Sequence, residues 1–484
     1  MAILLKGGTI VTSDQLYKSD ILIIGSTIAK IGDIPHLPEN TKIIDCSGQY
    51  VLPGGIDPHC HIQMPSPPYI TSDDWYSASR AAAAGGTTMI IDFVPTLKGC
   101  DPIQTLDEEF SNATSSIIDY TFHMSAVDWN PQVRKSIELA ISRGINSCKC
   151  YLAYKGRLSL DTNLDFIDFF AFCRDHGVLP LVHCEDGDIV PYLQDQVFNS
   201  SEVNKGPAGH PKSRPPFVEA SAVEHAISIA EAADCPVYIV HNTCEAALKQ
   251  IEFRNTPRYP IFAEATITHL IFTDKENSDP DYDHSAGLVL SPPLRSENDR
   301  QALWSGYRRG ILKTLATDHC PWPMTAKRLG QNPPDFRKIF NGIPAIEERM
   351  VLFWDRGVRS GLLSPCEFVA ITASNAAKIF GMYPKKGTIQ VGSDADIVVF
   401  DPSAKRVISK ESQKSAAEYN IFEGLEVQGI PVLTISAGKI VWECDVKNGI
   451  ALYKEGKLSE EKSGTFISRE AYTPFVYGRR EFLK

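Results

Sequence analysis

The chain has 484 residues, 43% of them apolar, and carries 48 basic against 59 acidic side chains for a net charge of −11. That balance argues against a polyanionic partner such as nucleic acid, and no basic run provides a local exception. No apolar stretch is long enough to span a bilayer, residues 1–6 are too short for the apolar region of a signal, and twelve cysteines lack a CxxC spacing, so a cytoplasmic protein is expected.

From residue 1 to about 50 the sequence runs in short alternating segments, such as Ile3-Leu4-Leu5-Lys6 and Ile21-Leu22-Ile23-Ile24, broken by glycines. They predict small β-strands. An apolar run at 51–58 then leads into His59-Cys60-His61. In a strand, residues i and i+2 share a face, so the pair aims two imidazoles at one spot. Seven more runs follow, at 87–92, 120–125, 147–152, 177–182, 236–240, 259–266 and 311–317. Each has the length and apolar content of a buried parallel strand. The third of these carries Lys149, and three others end at His183, His241 and Asp318. By alternation Cys148 and Cys150 face away from Lys149 and read as small packing residues, as does Cys60.

Helical spacing appears at 73–84, 160–176, 217–233 and 298–310, the first opening on the paired acids Asp73-Asp74 that suit a helix N-terminus. Strands alternating with helices imply βαβ units, and eight of them predict an α/β fold, a (β/α)8 TIM-like barrel, with functional residues at the C-terminal strand ends. After the barrel, strand-like segments return at 395–400 and 432–436. Neither chain end has a core of its own, so the two are expected to form one small β-sandwich. The predicted division is 1–52 and 385–447 for the sandwich, 53–384 for the catalytic barrel, and 448–484 for a C-terminal arm. The aromatic cluster at 473–477 suits an oligomer contact for that arm.

The segments PGGIDPHCH, SCKCYLAYK, LVHCE, IVHNT, SPPLR and ATDHCP, in this order, closely resemble the dihydropyrimidinase/hydantoinase branch of the amidohydrolase superfamily. The likeness runs from Gly7-Gly8 through Asn375-Ala376-Ala377-Lys378-Ile379-Phe380 to Gly392-Ser393-Asp394-Ala395-Asp396. It implies the same barrel and sandwich, a homo-oligomer (tetramer or dimer), and two zinc ions per subunit. His59, His61 and Asp318 would bind one zinc, and His183 and His241 the other. Lys149, as its carbamate (N6-carboxylysine), would bridge them beside a shared hydroxide. An unmodified ammonium about 4 Å from a dication would cost roughly 8 kcal/mol at an effective dielectric near 20, which favours the modification.

The resemblance also implies roles. Asp318 would orient the hydroxide, take its proton and pass it to the departing nitrogen. Tyr154 would stabilise the oxyanion, while Ser291 and Asn341 would hold the amide edge of a cyclic substrate. The activity implied is hydrolysis of cyclic amides, opening 5,6-dihydrouracil or dihydrothymine to N-carbamoyl-β-amino acids in pyrimidine breakdown. A D-hydantoinase acting on 5-substituted hydantoins is the alternative. An allantoinase-like hydrolase is less favoured. So is a non-enzymatic scaffold of the collapsin-response-mediator kind, because all six ligand positions are intact. The partner expected is a small molecule, with no nucleic acid and no membrane.

One departure stands out. Relatives often carry a Phe and glycines after Met-Pro in the loop that shapes the pocket for the ring substituent, where this chain reads Met64-Pro65-Ser66-Pro67-Pro68-Tyr69. Its extra prolines should stiffen that loop. Among other polar residues, His123 is expected near the barrel mouth, His319 beside Asp318, and His210 and Arg214 in structural support. His269 has no assigned role.

Overall fold

The apolar runs become eight parallel strands. In the computed structural model, which describes residues 2–258 and 260–472, they are β1 (Gly55–Cys60), β2 (Thr87–Phe93), β3 (Asp119–Ser125), β4 (Ser147–Tyr151), β5 (Leu179–His183), β6 (Val237–Ile239), β7 (Ile261–Thr266) and β8 (Thr314–Ala316). Each pairs in parallel with its neighbour in sequence order. The ring closes just beyond the last strand: Asp318 N–H donates to the His59 carbonyl at 3.0 Å, and His61 N–H donates to the His319 carbonyl at 2.8 Å.

The first run corrects the expectation of a single strand. Residues 51–58 divide at Gly54, with Tyr50–Pro53 joining a terminal sheet and Gly55–Cys60 entering the barrel. A Cβ on Gly54 would lie 2.0 Å from Thr88 Oγ1, so glycine is what allows the crossing.

Alternation along the strands sorts side chains into two layers. Ile56, Met89, Ile91, Phe93, Leu179, Leu181, Tyr238 and Val240 fill the barrel, while Phe122, Met124, Cys148, Cys150 and Val182 face the helices. Those helices include Trp75–Ala84, Asn163–His176, Pro216–Ala232 and Glu297–Arg308, close to the predicted spans. Asp74, Thr162 and Ser296 cap three of them by accepting from first-turn N–H groups. Asp73 takes no part in the cap. It is fully buried and bonds instead to His319, Ser415 and Ala416.

The chain ends build two further sheets. One has four strands in the order Thr27–Ile31, Ile21–Ile24, Ala2–Lys6, Lys42–Asp45. The larger joins Thr9–Val11 and Tyr50–Pro53 to Ile397–Val407, Glu426–Ser436 and Lys439–Glu443. Ile3, Leu5, Ile21 and Ile23 from one pack with Ile10, Val51, Ile397, Val399 and Ile435 from the other. Pairing continues past residue 447, to Lys457–Leu458. Beyond it the chain returns to the N-terminal ends of the barrel strands, where Ile467 N–H donates to the Tyr120 carbonyl and Arg469 N–H to the Gly144 carbonyl. Ile467 and Tyr472 join Phe380 and Met382 in sealing the barrel floor. The aromatic cluster at 473–477 lies outside the described residues. Among the described residues, no helix is long and apolar enough to cross a membrane.

Candidate active site

Strand alternation and barrel closure bring the predicted residues to one end of the barrel. His59 and His61 leave β1 on the same face, and Asp318 sits two residues past β8. Asp318 Oδ1 lies 3.2 Å from His59 Nε2 and 3.3 Å from His61 Nε2. Lys149 Nζ stands 3.2 Å from His59 Nε2. His183 and His241, from the ends of β5 and β6, place Nδ1 and Nε2 at 2.9 Å. The Tyr154 ring lies 5.3 Å from that of His183. Asn341 donates its side-chain N–H to Ser291 Oγ at 2.9 Å, and Ser291 in turn adjoins the Tyr154 hydroxyl. The His59 and His241 rings, 5.3 Å apart, join the two groups, so contacts link all nine residues.

Two carboxylates missing from the sequence reading decide the chemistry of this cluster. Glu264, buried in the middle of β7, accepts from His59 Nδ1 at 2.6 Å, from the Tyr238 hydroxyl at 2.7 Å and from the His241 backbone N–H at 3.2 Å. Glu185, two residues past His183, accepts from its Nε2 at 2.9 Å. A carboxylate acceptor fixes the proton on the nitrogen facing it and leaves the other nitrogen a lone pair. His59 Nε2 and His183 Nδ1 therefore point bare lone pairs into the cluster. There His59 Nε2 meets an Asp318 oxygen at 3.2 Å with the Lys149 amine at 3.2 Å, and His183 Nδ1 meets His241 Nε2 at 2.9 Å, so the lone pairs face positions that a donor or a cation can fill. Donor atoms of His59, His241 and Asp318 all fall within 4.8 Å of one another. His241 Nδ1 is buried with no hydrogen-bond partner among the described residues. Histidines oriented by buried carboxylates are the usual setting of a metal ion, and the donor set fits one.

Burial and the Lys149 charge oppose protonation of His59, but Asp318 and Glu264 outweigh them and hold its imidazole above the usual histidine value in the metal-free site. Burial works against the Asp318 charge, yet His59 and His61 hold its carboxyl well below the usual carboxylate range. Burial brings His61 down to about 4 and, with His183, pushes His241 well below the usual histidine value, so both rings are neutral at pH 7. The Lys149 amine is drawn down to about 8 by burial, against the pull of Asp318 and Glu264. It sits 4.2 Å from the Phe93 ring centroid and 5.0 Å from that of Tyr151. The backbone is strained at this end too: Tyr154, His241 and Asp318 have φ of 60°, 36° and 54°, in the left-handed region. Such residues persist only where their surroundings over-determine them, and they cluster at functional sites.

Other histidines serve the frame. His123 does not reach the mouth, for its Nε2–H donates to the Pro58 carbonyl at 3.0 Å and its Nδ1 meets Ser147 Oγ at 2.6 Å. His319 turns away from Asp318, donating to Asp73 at 3.1 Å while its Nδ1 accepts from Ala345 N–H. His210 donates to the Leu290 carbonyl at 2.8 Å and His269 to the Pro292 carbonyl at 3.0 Å, so both brace the loop carrying Ser291. The proline-rich loop packs Met64 and Tyr69 into an apolar cluster with Trp322 and Phe340. Trp322 Nε1 donates to the Asn341 carbonyl at 2.9 Å.

A closed parallel barrel with a candidate metal-ligand set at the C-terminal ends of its strands fits an enzyme of the amidohydrolase type, and residues 254–441 match the model of the Amidohydrolase family. The chain is 37% identical to the dihydropyrimidinase of Dictyostelium discoideum, over 98% of this chain and 92% of that one. It is 38% identical to the D-hydantoinase of Geobacillus stearothermophilus, over 91% and 93%. The crystal structure of dihydropyrimidinase from Brevibacillus agri superposes with a TM-score of 0.90 at 36% identity, covering 98% of this chain and 99% of that one. The chain belongs to the dihydropyrimidinase/hydantoinase family of cyclic amidohydrolases.

Proposed function

We propose that the protein opens 5,6-dihydrouracil or dihydrothymine to the N-carbamoyl-β-amino acid, using two zinc ions. The observation that supports this reading is the pair of buried glutamates, one turning His59 Nε2 toward Asp318 and Lys149 and the other turning His183 Nδ1 toward His241. His59, His61 and Asp318 would hold one ion and His183 and His241 the other, with Lys149 bridging after carboxylation on Nζ. An amine near 8 supports that modification, since its neutral fraction at physiological pH has the lone pair that attacks carbon dioxide. When bound, the two ions would acidify water and polarise the substrate carbonyl.

The protein's own groups then divide the work. Asp318, held ionised by His59 and His61, takes the proton of the attacking water and delivers it to the ring nitrogen as the C–N bond breaks. The Tyr154 hydroxyl donates to the oxygen that gains charge. Ser291 and Asn341 hold the amide edge through their backbone groups. A second reading, cleavage of 5-substituted hydantoins, is favoured by the apolar wall of Met64, Tyr69 and Phe340 beside Asn341, which suits an apolar ring substituent. The twelve free cysteines support work in a reducing cytoplasm, and a homo-oligomer is proposed from the family resemblance.

The test is ring-opening turnover by zinc-loaded, bicarbonate-treated protein, with dihydrouracil and a 5-substituted hydantoin in parallel. Faster opening of dihydrouracil is expected. A clear preference for the hydantoin selects the second reading, and failure to open either ring removes both.

A further inference from the structure

Tyr154 holds an unusual position for a side chain that must aim a proton. Its backbone is left-handed, and its carbonyl is shared by the N–H groups of Arg157, Leu158 and Ser159 at 3.0, 2.9 and 3.4 Å, a tight turn that fixes where the ring starts. The ring then leans over His183. What fixes the hydroxyl itself is a different part of the chain. Arg214 follows the short helix Gly209–Lys212, in the long excursion between β5 and β6, and is buried, with 3% of its surface exposed. Its Nη1 donates to Glu185 Oε2 at 2.7 Å, the same oxygen that accepts from His183 Nε2. The guanidinium also lies against the Tyr154 hydroxyl.

Arginine offers donors and no acceptor. Facing a phenol, it can engage only the oxygen lone pairs, which leaves the phenolic hydrogen to point elsewhere, toward Ser291 or a substrate. We propose that Arg214 is a positioning residue that sets the Tyr154 O–H as a donor into the active site, and that Glu185 ties this arrangement to His183. One buried carboxylate would thereby fix both an imidazole lone pair and the direction of a phenolic proton. The placement of Arg214 is itself held: its carbonyl accepts from Arg295, whose Nε donates to Thr243 Oγ1 at 2.8 Å and whose Nη2 donates to Glu219 at 2.9 Å. Thr243 and Arg295 flank His241 and Ser291 in sequence, so the same network braces both walls of the site.

The kinetic role rests on the hydrolytic reading above, whereas the Arg214–Tyr154 geometry does not, and the test separates them. Arg214→Met and Arg214→Lys are made in the wild-type and Tyr154→Phe backgrounds. In each, kcat, KM and zinc content are measured, and in the proteins that keep Tyr154 its ring resonance, assigned by its loss in Tyr154→Phe, is followed by NMR with label at the tyrosine Cζ. Arg214→Met is expected to lower kcat about 10- to 100-fold, the scale of a misaimed catalytic contact, with zinc retained and KM little changed. In the Tyr154→Phe background it is expected to lower kcat no further, whereas in the background that keeps Tyr154 the Tyr154 resonance is expected to shift with or without zinc. Losses that multiply across the two backgrounds, or loss of zinc with an unmoved Tyr154 resonance, would overturn the proposal. If no cyclic amide is opened, the resonance alone decides whether Arg214 sets the phenol. Should Arg214→Met not fold, Arg214→Lys, which keeps the charge but loses the planar fork, completes the same cycle.

Discussion

Two buried lysines at opposite ends of the barrel show how differently the same side chain is used. Lys386, in the floor, has only 1% of its side chain exposed and is gripped by three carboxylates: Asp119 at the start of β3, Asp394 at 2.9 Å and Asp396 at 2.6 Å. Burial works against its charge, but Asp396, Asp119 and Asp394 outweigh it and hold the ammonium well above the usual lysine range. Lys149, at the mouth, is buried to the same degree among imidazoles and aromatic rings, with nearby carboxylates already engaged by histidines, and falls to about 8. Charge neutralised within the cluster makes a bolt; charge left without a dedicated partner makes a reactive amine. The bolt also gathers the fold, because Asp119 accepts from Thr465 of the returning arm and Asp396 accepts from Ala437 N–H in the sandwich.

The contrast breaks most visibly at the floor. Lys386→Met leaves three carboxylates facing one another in a buried site, and the expected loss is about 3–5 kcal/mol of unfolding free energy. Urea unfolding at pH 7 measures it, and turnover per folded molecule should be unchanged. A loss below about 1 kcal/mol would mean that the carboxylates find other partners, as exposed pairs do.

At the mouth the sign reverses. In metal-free protein Lys149 releases its proton at about 8, against 10.5 for an ordinary lysine. Between these values the unfolded chain binds more protons than the folded one, so the unfolding free energy rises with pH. The shift corresponds to about 3 kcal/mol gained between pH 7 and pH 11. Lys149→Met removes that rise, and at pH 7 the metal-free variant should be more stable than the wild type by a similar amount. Parallel urea titrations of chelator-treated wild type and variant at pH 7 and pH 10 read the difference. A wild type that gains nothing relative to the variant would place Lys149 with Lys386, as a paired structural cation.

The two ends were not equally legible. Each mouth residue sits at the end of its own apolar run, so His59, His61, His183, His241 and Asp318 announce themselves through local spacing, and alternation alone puts Cys148 and Cys150 on the helix side. The floor is made of pairings such as Asp119 with Lys386, more than 260 residues apart, which no local pattern encodes. Two misreadings share that cause. Paired acids at 73–74 looked like a helix start, but only Asp74 caps while Asp73 finds His319 across the barrel. The run at 51–58 looked continuous, but a sheet from the far end of the chain claims its first half. Glu264 did leave a signal: a lone acid inside the apolar stretch Ile261-Phe262-Ala263-Glu264-Ala265-Thr266 has to be paired when buried.

Glu264 gives the finest test of the contrast, because it belongs to the mouth yet touches none of the proposed substrate contacts. If it is a core acid kept for stability, Glu264→Gln should destabilise the fold and leave metal binding alone. If it fixes His59, the effects divide the other way. The glutamine oxygen still accepts from His59 Nδ1 and His241 N–H, and the Tyr238 hydroxyl still has Thr314 Oγ1 as a partner, so stability should change by less than about 1 kcal/mol. The neutral amide no longer raises the basicity of the imidazole, and zinc affinity is expected to fall about 10- to 100-fold. Competition against a chelator measures that fall directly. Recovery of turnover at saturating zinc would separate weakened binding from a damaged reaction. A stable variant with weak zinc binding assigns Glu264 to the chemistry of the mouth, while an unstable one with full affinity would return it to the frame beside Lys386.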